Sequence, residues 1–180
     1  MKIIAFTGMP CSGKSEAVQI AKNMNINVFR MGDMVLEEVK NQSLPLDDKH
    51  VGAIANQMRI KFGKDVWAKK TLDKISKYKN LEYIVIDGIR NAEEIVTFKK
   101  NLGKNFIVIA IVSSDEQRQM RFLKRGRVDD SKDIKDLIER DKRERNWGVD
   151  SVIASADIVI SNQGSLEKLK SEITKIFNKI

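Results

Sequence analysis

The sequence predicts a three-layer α/β fold around a parallel sheet of about five strands. Three observations predict it. Short β-prone apolar runs alternate with longer segments whose apolar residues recur at three- and four-residue spacing. Phe106 to Val112 is apolar without interruption, as suits a strand buried on both faces at the centre of a parallel sheet. Gly8-Met9-Pro10-Cys11-Ser12-Gly13-Lys14-Ser15 fits G-x-x-x-x-G-K-[ST], a phosphate-cradling loop that belongs between a strand and a helix. Ile3-Ile4-Ala5-Phe6 supplies the strand, and Ala17, Val18, Ile20 and Ala21 supply the helical pattern.

In chain order, Lys2 to Phe6 reads as a strand, Lys14 to Met24 as a helix and Asn25 to Phe29 as a second strand. Met31 to Lys40 is helical, with Met34, Val35 and Val39 on one face, and Asn41 to Pro45 is a turn. Asp47 to Phe62 is helical through Val51, Ile54, Ala55 and Met58, and Asp65 to Lys77 continues helically. Roughly fifty residues then separate two strands, too many for one plain crossover, so residues 30–63 read as an inserted helical subdomain. Leu81 to Ile86 is a strand ending at Asp87, and Asn91 to Leu102 a helix. After the Phe106–Val112 strand, Asp115 to Lys124 is a helix leading into Arg125-Gly126-Arg127, and residues 125–133 read as a short lid. Ile134 to Trp147 is a highly charged helix, Asp157 to Ile160 the last strand, and Leu166 to Ile180 an amphipathic helix with Leu169, Ile173 and Phe177 on one face. One domain is expected over residues 1–180, without repeats or linkers.

Hydrophobic residues make up 42% and charged residues 32%, which fits a globular chain with an ionised surface. No apolar run reaches the roughly 18 residues of a membrane span, and the first apolar stretch is too short for a signal peptide. The single cysteine, Cys11, cannot form an internal disulfide, so a reducing, cytoplasmic location is expected. The net charge of +8 favours anionic partners. Lysines dominate and are scattered, which favours a solvated surface over a nucleic-acid-binding stripe. Oligomeric state is left open.

The chemistry of the loop is specific. Backbone N–H groups of Gly8, Met9, Pro10's neighbours, Cys11, Ser12 and Gly13 turn inward, and the helix N-terminus adds its positive dipole end. Lys14 reaches the β- and γ-phosphates of a nucleotide, Ser15 holds Mg²⁺, and Glu16 lies in the first helical turn beside them. Cys11 is read as a packing residue at a variable position. Asp87, ending the strand Tyr83-Ile84-Val85-Ile86-Asp87, has the form of the carboxylate that binds Mg²⁺ beside such a loop. Seven arginines cluster between Arg118 and Arg145. Arginine's planar, permanently charged fork suits a moving phosphoryl group. Arg143 and Arg145 are instead read as pairing along a solvated helix.

Asp87-Gly88-Ile89-Arg90 resembles the Asp-Gly-x-x-Arg segment of nucleoside monophosphate kinases, shortened by one residue, and Met31-Gly32-Asp33-Met34-Val35 is similar to the Gly-Asp-Met-Leu segment that opens their acceptor-binding region. The resemblance implies that Gly32, Asp33 and Arg90 meet the phosphoryl acceptor. Leu36 stands where that family usually has arginine; Arg30 and Arg59 are the candidates to supply the missing charge, although neither is in motif register. Arg118 to Asp130 resembles the family's lid. By that likeness Arg121 and Arg125 lie against the donor nucleotide, Arg127 approaches the transferring phosphoryl, Asp129 braces the arginines, and Arg140 matches the arginine after the lid. Ala156 to Ser165 looks like the last strand and loop of dephospho-coenzyme A kinases, which would bring Asn162 and Gly164 near the donor base; a turn and helix cap would use the same residues. The whole is similar to a small archaeal group of adenylate-kinase-related proteins. It implies an ATP- and Mg²⁺-dependent phosphotransferase acting on a phosphorylated small-molecule acceptor. A dephospho-coenzyme A-like kinase, and a regulatory ATPase working with RNA or a protein, are the alternatives.

Overall fold

The computed structural model describes residues 2–78, 81–124 and 133–179. Its first strand, β1 (Lys2–Thr7), buries every residue after Lys2. β2 (Asn27–Arg30), β3 (Tyr83–Asp87), β4 (Phe106–Val112) and β5 (Ile158–Ser161) join it in one parallel sheet, in the order β2-β3-β1-β4-β5. β1 is central: Phe6 lies opposite Asp87 of β3 on one side and opposite Ile109 of β4 on the other. The chain first travels to the β2 edge, returns to β3, and then crosses β1 to reach β4. That reversal opens a crevice at the carboxyl end of β1, where a ligand site belongs in an open α/β sheet.

The alternation of side chains along β1 divides the core. Ile3 and Ala5 face one layer, with Ile84, Ile86 and Val108. Against them pack α2 (Met31–Asn41), α3 (Asp48–Phe62), α4 (Val66–Ile75), α5 (Ala92–Leu102) and a six-residue helix, α8 (Val149–Ala154). Ile4 and Phe6 face the other, with Val85, Ile109 and Ile111. There α1 (Lys14–Asn23) and α9 (Leu166–Lys179) cover the sheet. Leu169, Ile173 and Phe177 are the buried stripe of α9; burial of each contributes roughly 1.5–3 kcal/mol. The two remaining helices, α6 (Asp115–Lys124) and α7 (Ile134–Trp147), lie at the carboxyl end of the sheet and flank residues 125–132, outside the described residues.

Local signals start the helices. Asp47 caps α3 by accepting from the His50 N–H at 2.8 Å. Asn91 and Glu94 form a reciprocal capping box at α5. Two elements differ from the expectation. α8 had no pattern of its own: after Gly148 only Val149 and Val152 turn inward, in too few turns to show a period. A 3₁₀ turn over Gly103–Asn105 also links α5 to β4.

Candidate active site

The loop between β1 and α1 is where the fold concentrates backbone donors. Gly13 takes φ 114°, a conformation side chains rarely adopt, and a Cβ there would strike Asn162 Nδ2. Cys11 also adopts a left-handed φ of 60° and is half-buried. Lys14 folds over the loop, donating to the carbonyls of Gly8 and, at 2.9 Å, Met9. Its pKa falls to about 7, first through burial and then through the Arg90 charge, with Glu144 and Asp87 pulling the other way.

Three long-range contacts hold the loop from outside. Asn162 Nδ2 donates to Ser12 O at 2.8 Å, and the Asn162 backbone N–H donates to Val112 O at 2.8 Å. Arg121 spans the same region: it donates to Ser113 Oγ at 2.9 Å and to Asn162 O at 2.8 Å, and lies 3.4 Å from the carbonyls of Cys11 and Ser12. Arg118 donates to Pro10 O at 3.0 Å. It is 2% exposed and ends in a bidentate pair with Asp141 of α7, with Asp115 as a third partner. Burial disfavours its charge, but the bonds to Asp141 and Asp115 outweigh that and hold its pKa above the ordinary arginine value. Gly164 is exposed beyond Asn162.

Asp87 stands across the crevice from the loop. Thr7 Oγ1 bonds Ile89 O at 3.0 Å and Gly88 N–H bonds Phe6 O at 3.1 Å, which fixes the end of β3 beside the start of the loop. Asp87 Oδ2 lies 3.6 Å from Arg30 Nε, and Asp87 Oδ1 is buried with no hydrogen-bond partner among the described residues. Ser15 and Asp87 line one cleft of about 580 Å³, together with Arg30, Leu36, Val51, Asp48 and Arg140. A carboxylate with an orphaned oxygen and a hydroxyl on the wall of one cleft are hard oxygen donors that fit a divalent cation completed by phosphate oxygens and water. No cluster of three or more acidic, histidine or cysteine residues among the described residues would hold a metal by itself.

An inner cavity of about 160 Å³ adjoins this cleft and is bounded by Gly32, Arg90, Arg59, Arg143, Glu144 and Trp147, among others. Its walls form a ring of paired charges. Arg90 Nε lies 3.0 Å from Glu144, and the Arg90 backbone N–H donates to Glu94 at 2.7 Å. Glu94, fully buried, also pairs with Arg59 at 3.1 Å. Burial pushes the Glu94 pKa up, opposed by Arg59. Arg59 stacks 4.3 Å from the Trp147 ring, with Arg143 5.7 Å from the same ring. Arg143 and Arg140 reach Asp48, and Arg140 returns to Glu144 at 3.7 Å.

The expected site residues therefore fall into groups. The loop from Gly8 to Ser15, Arg121 and Asn162 form one cluster, and Asp87, Gly32 and Arg90 line the adjoining cavities. Asp33 instead lies at the half-exposed start of α2, 3.7 Å from Arg30. Arg125, Arg127 and Asp129 lie outside the described residues. One expectation is corrected: α7 keeps pairs along itself, Arg140 with Glu144 and Lys142 with Glu139, but it is not a solvated helix and the carboxylate partner of Arg143 lies outside it. Asp141 and Glu144 are buried, and Arg143 bonds across to α3. Arg145 keeps a loose pair, 3.7 Å from Asp150. Sequence reading missed Arg118, Asp141, Asp48 and Glu144. Glu94 was missed too, although it carries a readable signal as the fourth residue of Asn91-x-x-Glu94.

A phosphate-binding loop at the carboxyl end of a five-stranded parallel sheet, with helices on both faces, defines a P-loop protein of the kinase-like α/β class. Residues 7–138 match the family model described as an AAA domain. A UPF0200 protein of Methanosarcina barkeri is 40% identical over 99% of this chain and 95% of its own. The chain belongs to the UPF0200 family. Its fold is shared with solved structures: TT1252 from Thermus thermophilus, at TM-score 0.63 and 18% identity over 99% of this chain and 97% of that one, and shikimate kinase from Aquifex aeolicus, at TM-score 0.51 and 20% identity over 98% and 96%. No helix among the described residues is long and apolar enough to cross a membrane.

Proposed function

We propose that this protein is an ATP-dependent phosphotransferase of the nucleoside monophosphate kinase type, moving the γ-phosphoryl to a phosphorylated small molecule. One observation carries the reading. The wall of a single cleft contains Ser15 at the loop, Asp87 at the end of β3, and the cations Arg30 and Arg140. The donor loop thus opens onto a second binding space, as transfer between two substrates requires and simple nucleotide binding does not.

In this reading the loop N–H groups and Lys14 bind the donor phosphates, and Arg121 and Asn162 steady the loop from behind. Ser15 and Asp87 would hold Mg²⁺, which supplies charge neutralisation on the phosphate oxygens when bound. By the resemblance Arg125 would lie against the donor nucleotide, Arg127 would approach the moving phosphoryl and Asp129 would brace the arginines, and Glu16 and Gly164 would border the donor site. Residues 30–63 serve as the acceptor-binding insertion, with Gly32 and Arg90 on the inner cavity and Asp33 reaching the cleft through Arg30. Catalysis is then positioning plus positive charge at the phosphoryl. Leu36, Leu46 and Val51 give the cleft an apolar wall, which favours an acceptor with an apolar body and keeps the dephospho-coenzyme A-like reading as the second choice.

Release of ADP from ATP and Mg²⁺, assayed with nucleoside monophosphates and dephospho-coenzyme A in turn, tests the proposal. Acceptor-dependent release is expected, and Lys14→Ala should remove it while leaving the circular-dichroism spectrum unchanged. Undiminished transfer by Lys14→Ala, or release indifferent to every acceptor, would sink it.

A further inference from the structure

Asp48 stands where the cleft over Ser15 and Asp87 meets the inner cavity, and it lines both. Both its oxygens accept from Arg143 Nη2, at 2.9 and 2.7 Å, and Arg140 Nε lies 3.7 Å away. One carboxylate therefore ties the first turn of α3 to α7 across the boundary of the two spaces.

This tie differs from the other pairs of the ring. The Glu94 and Glu144 side chains are 0% and 4% exposed, whereas the Asp48 side chain is 33% exposed. The three residues before it, Pro45, Leu46 and Asp47, are exposed, so little packing holds the start of α3 in place. Behind the tie, the arginine side is built to stay. Arg143 crosses α3 at Gly52, where a Cβ would come within 2.8 Å of the guanidinium carbon. Its Nε, like that of Arg59, is buried without a hydrogen-bond partner among the described residues. The charges around the inner cavity are also unequal: with Glu94 behind Arg59 counted, five arginines (Arg30, Arg59, Arg90, Arg140, Arg143) meet four carboxylates (Asp48, Asp87, Glu94, Glu144). A fixed pair of guanidinium groups, facing excess positive charge and occupied by the most exposed carboxylate in the ring, has the form of an oxyanion site with an internal occupant.

We propose that Arg140 and Arg143 form an oxyanion-binding fork of the acceptor site, and that Asp48 fills it until an acceptor bearing phosphate or carboxylate displaces it. Displacement releases the first turn of α3 and joins the cleft to the inner cavity, so the acceptor opens its own space. The inference rests on reading this cleft as the acceptor side. Phosphate is the better competitor, because it carries more charge and more acceptor oxygens than the Asp48 carboxylate.

Trp147, against Arg59 and Arg143, provides the signal. The full chain is saturated with ADP and Mg²⁺ to fill the loop, and inorganic phosphate or acetate is titrated while tryptophan fluorescence is followed. Asp48→Asn should bind phosphate about tenfold more tightly than wild type, because the internal competitor has lost its charge. Arg143→Gln should lose the response. Saturation by phosphate and not acetate assigns the fork to phosphorylated acceptors; equal responses assign it to carboxylates as well. Unchanged or weaker phosphate binding by Asp48→Asn overturns the proposal and makes Asp48 a brace, whether or not its melting temperature falls. Failure of ADP to bind counts against the donor reading alone, and the fork is then titrated in Lys14→Ala.

Discussion

The two sides of the crevice are built by different means. On the loop side the groups proposed to meet a ligand are backbone N–H groups and one lysine, all within a single eight-residue stretch, and Arg118, Arg121 and Asn162 brace it from elsewhere. On the α3–α7 side nothing is contiguous. Asp48, Arg59, Arg90, Arg140 and Glu144 come from three different segments, α3, the β3–α5 connection and α7, and each is paired with an opposite charge. A backbone-built site changes little with sequence, since any residue supplies an N–H. A site of buried ion pairs depends on every member, because losing one leaves its partner charged and unpaired. Under the proposed function the comparison teaches where specificity would vary: the loop would keep binding polyphosphate while the ring is retuned for one acceptor.

The largest effect is expected where the two sides join. Arg118 bonds Pro10 O of the loop and Asp141 of α7, one residue from Arg140. Arg118→Met strands a buried carboxylate at Asp141 and should cost about 3–5 kcal/mol, read as a lower denaturant midpoint. Asp141→Asn should recover part of the loss in the double variant. Additive losses would show that the pair does not couple the halves. A smaller, one-sided effect is expected from Gly52→Ala. The new methyl displaces Arg143 from Asp48 and should cost roughly 1–2 kcal/mol, with ADP affinity unchanged. A matching fall in ADP affinity would blur the division between the sides.

Proton linkage sharpens the comparison on the loop side. The folded-state pKa of Lys14 is depressed to about 7, so burial penalises its charged form. The penalty is fully present below pH 7 and fades as pH rises toward the ordinary lysine value. A bound polyphosphate restores the charge. ADP binding at pH 8 should therefore take up close to one proton, measured as a dependence of calorimetric heat on buffer ionisation, and Lys14→Gln should abolish the dependence. Smallest of all is Arg145→Ala. Its pair with Asp150 is loose and half-exposed, so the change should stay within about 0.5 kcal/mol.

What could be read in advance follows the same division. The loop, the strand ending at Asp87 and the buried stripe of α9 are local patterns, set by spacing within one element. The capping box at Asn91 and Glu94 is local too, although Glu94 also serves as the buried partner of Arg59, which no spacing announces. α7 misled because its acids and arginines fit i,i+4 pairing, and only the packing of α3 and α6 against it shows which of them are buried. Leu36 stands in the cleft wall, but the cations that share the cleft, Lys22, Arg30 and Arg140, sit on other segments.

The sequence alone determined the parallel α/β layering, the phosphate loop and the carboxylate opposite it. Each follows from periodicity, or from backbone geometry that a few adjacent residues dictate. Only the tertiary structure decided which arginines face the cleft and which carboxylates neutralise them. Arg59 and Glu94 are 35 residues apart and Arg143 and Asp48 are 95 apart, and a Coulomb partner is chosen by distance in space and by burial, neither of which is written at any one position.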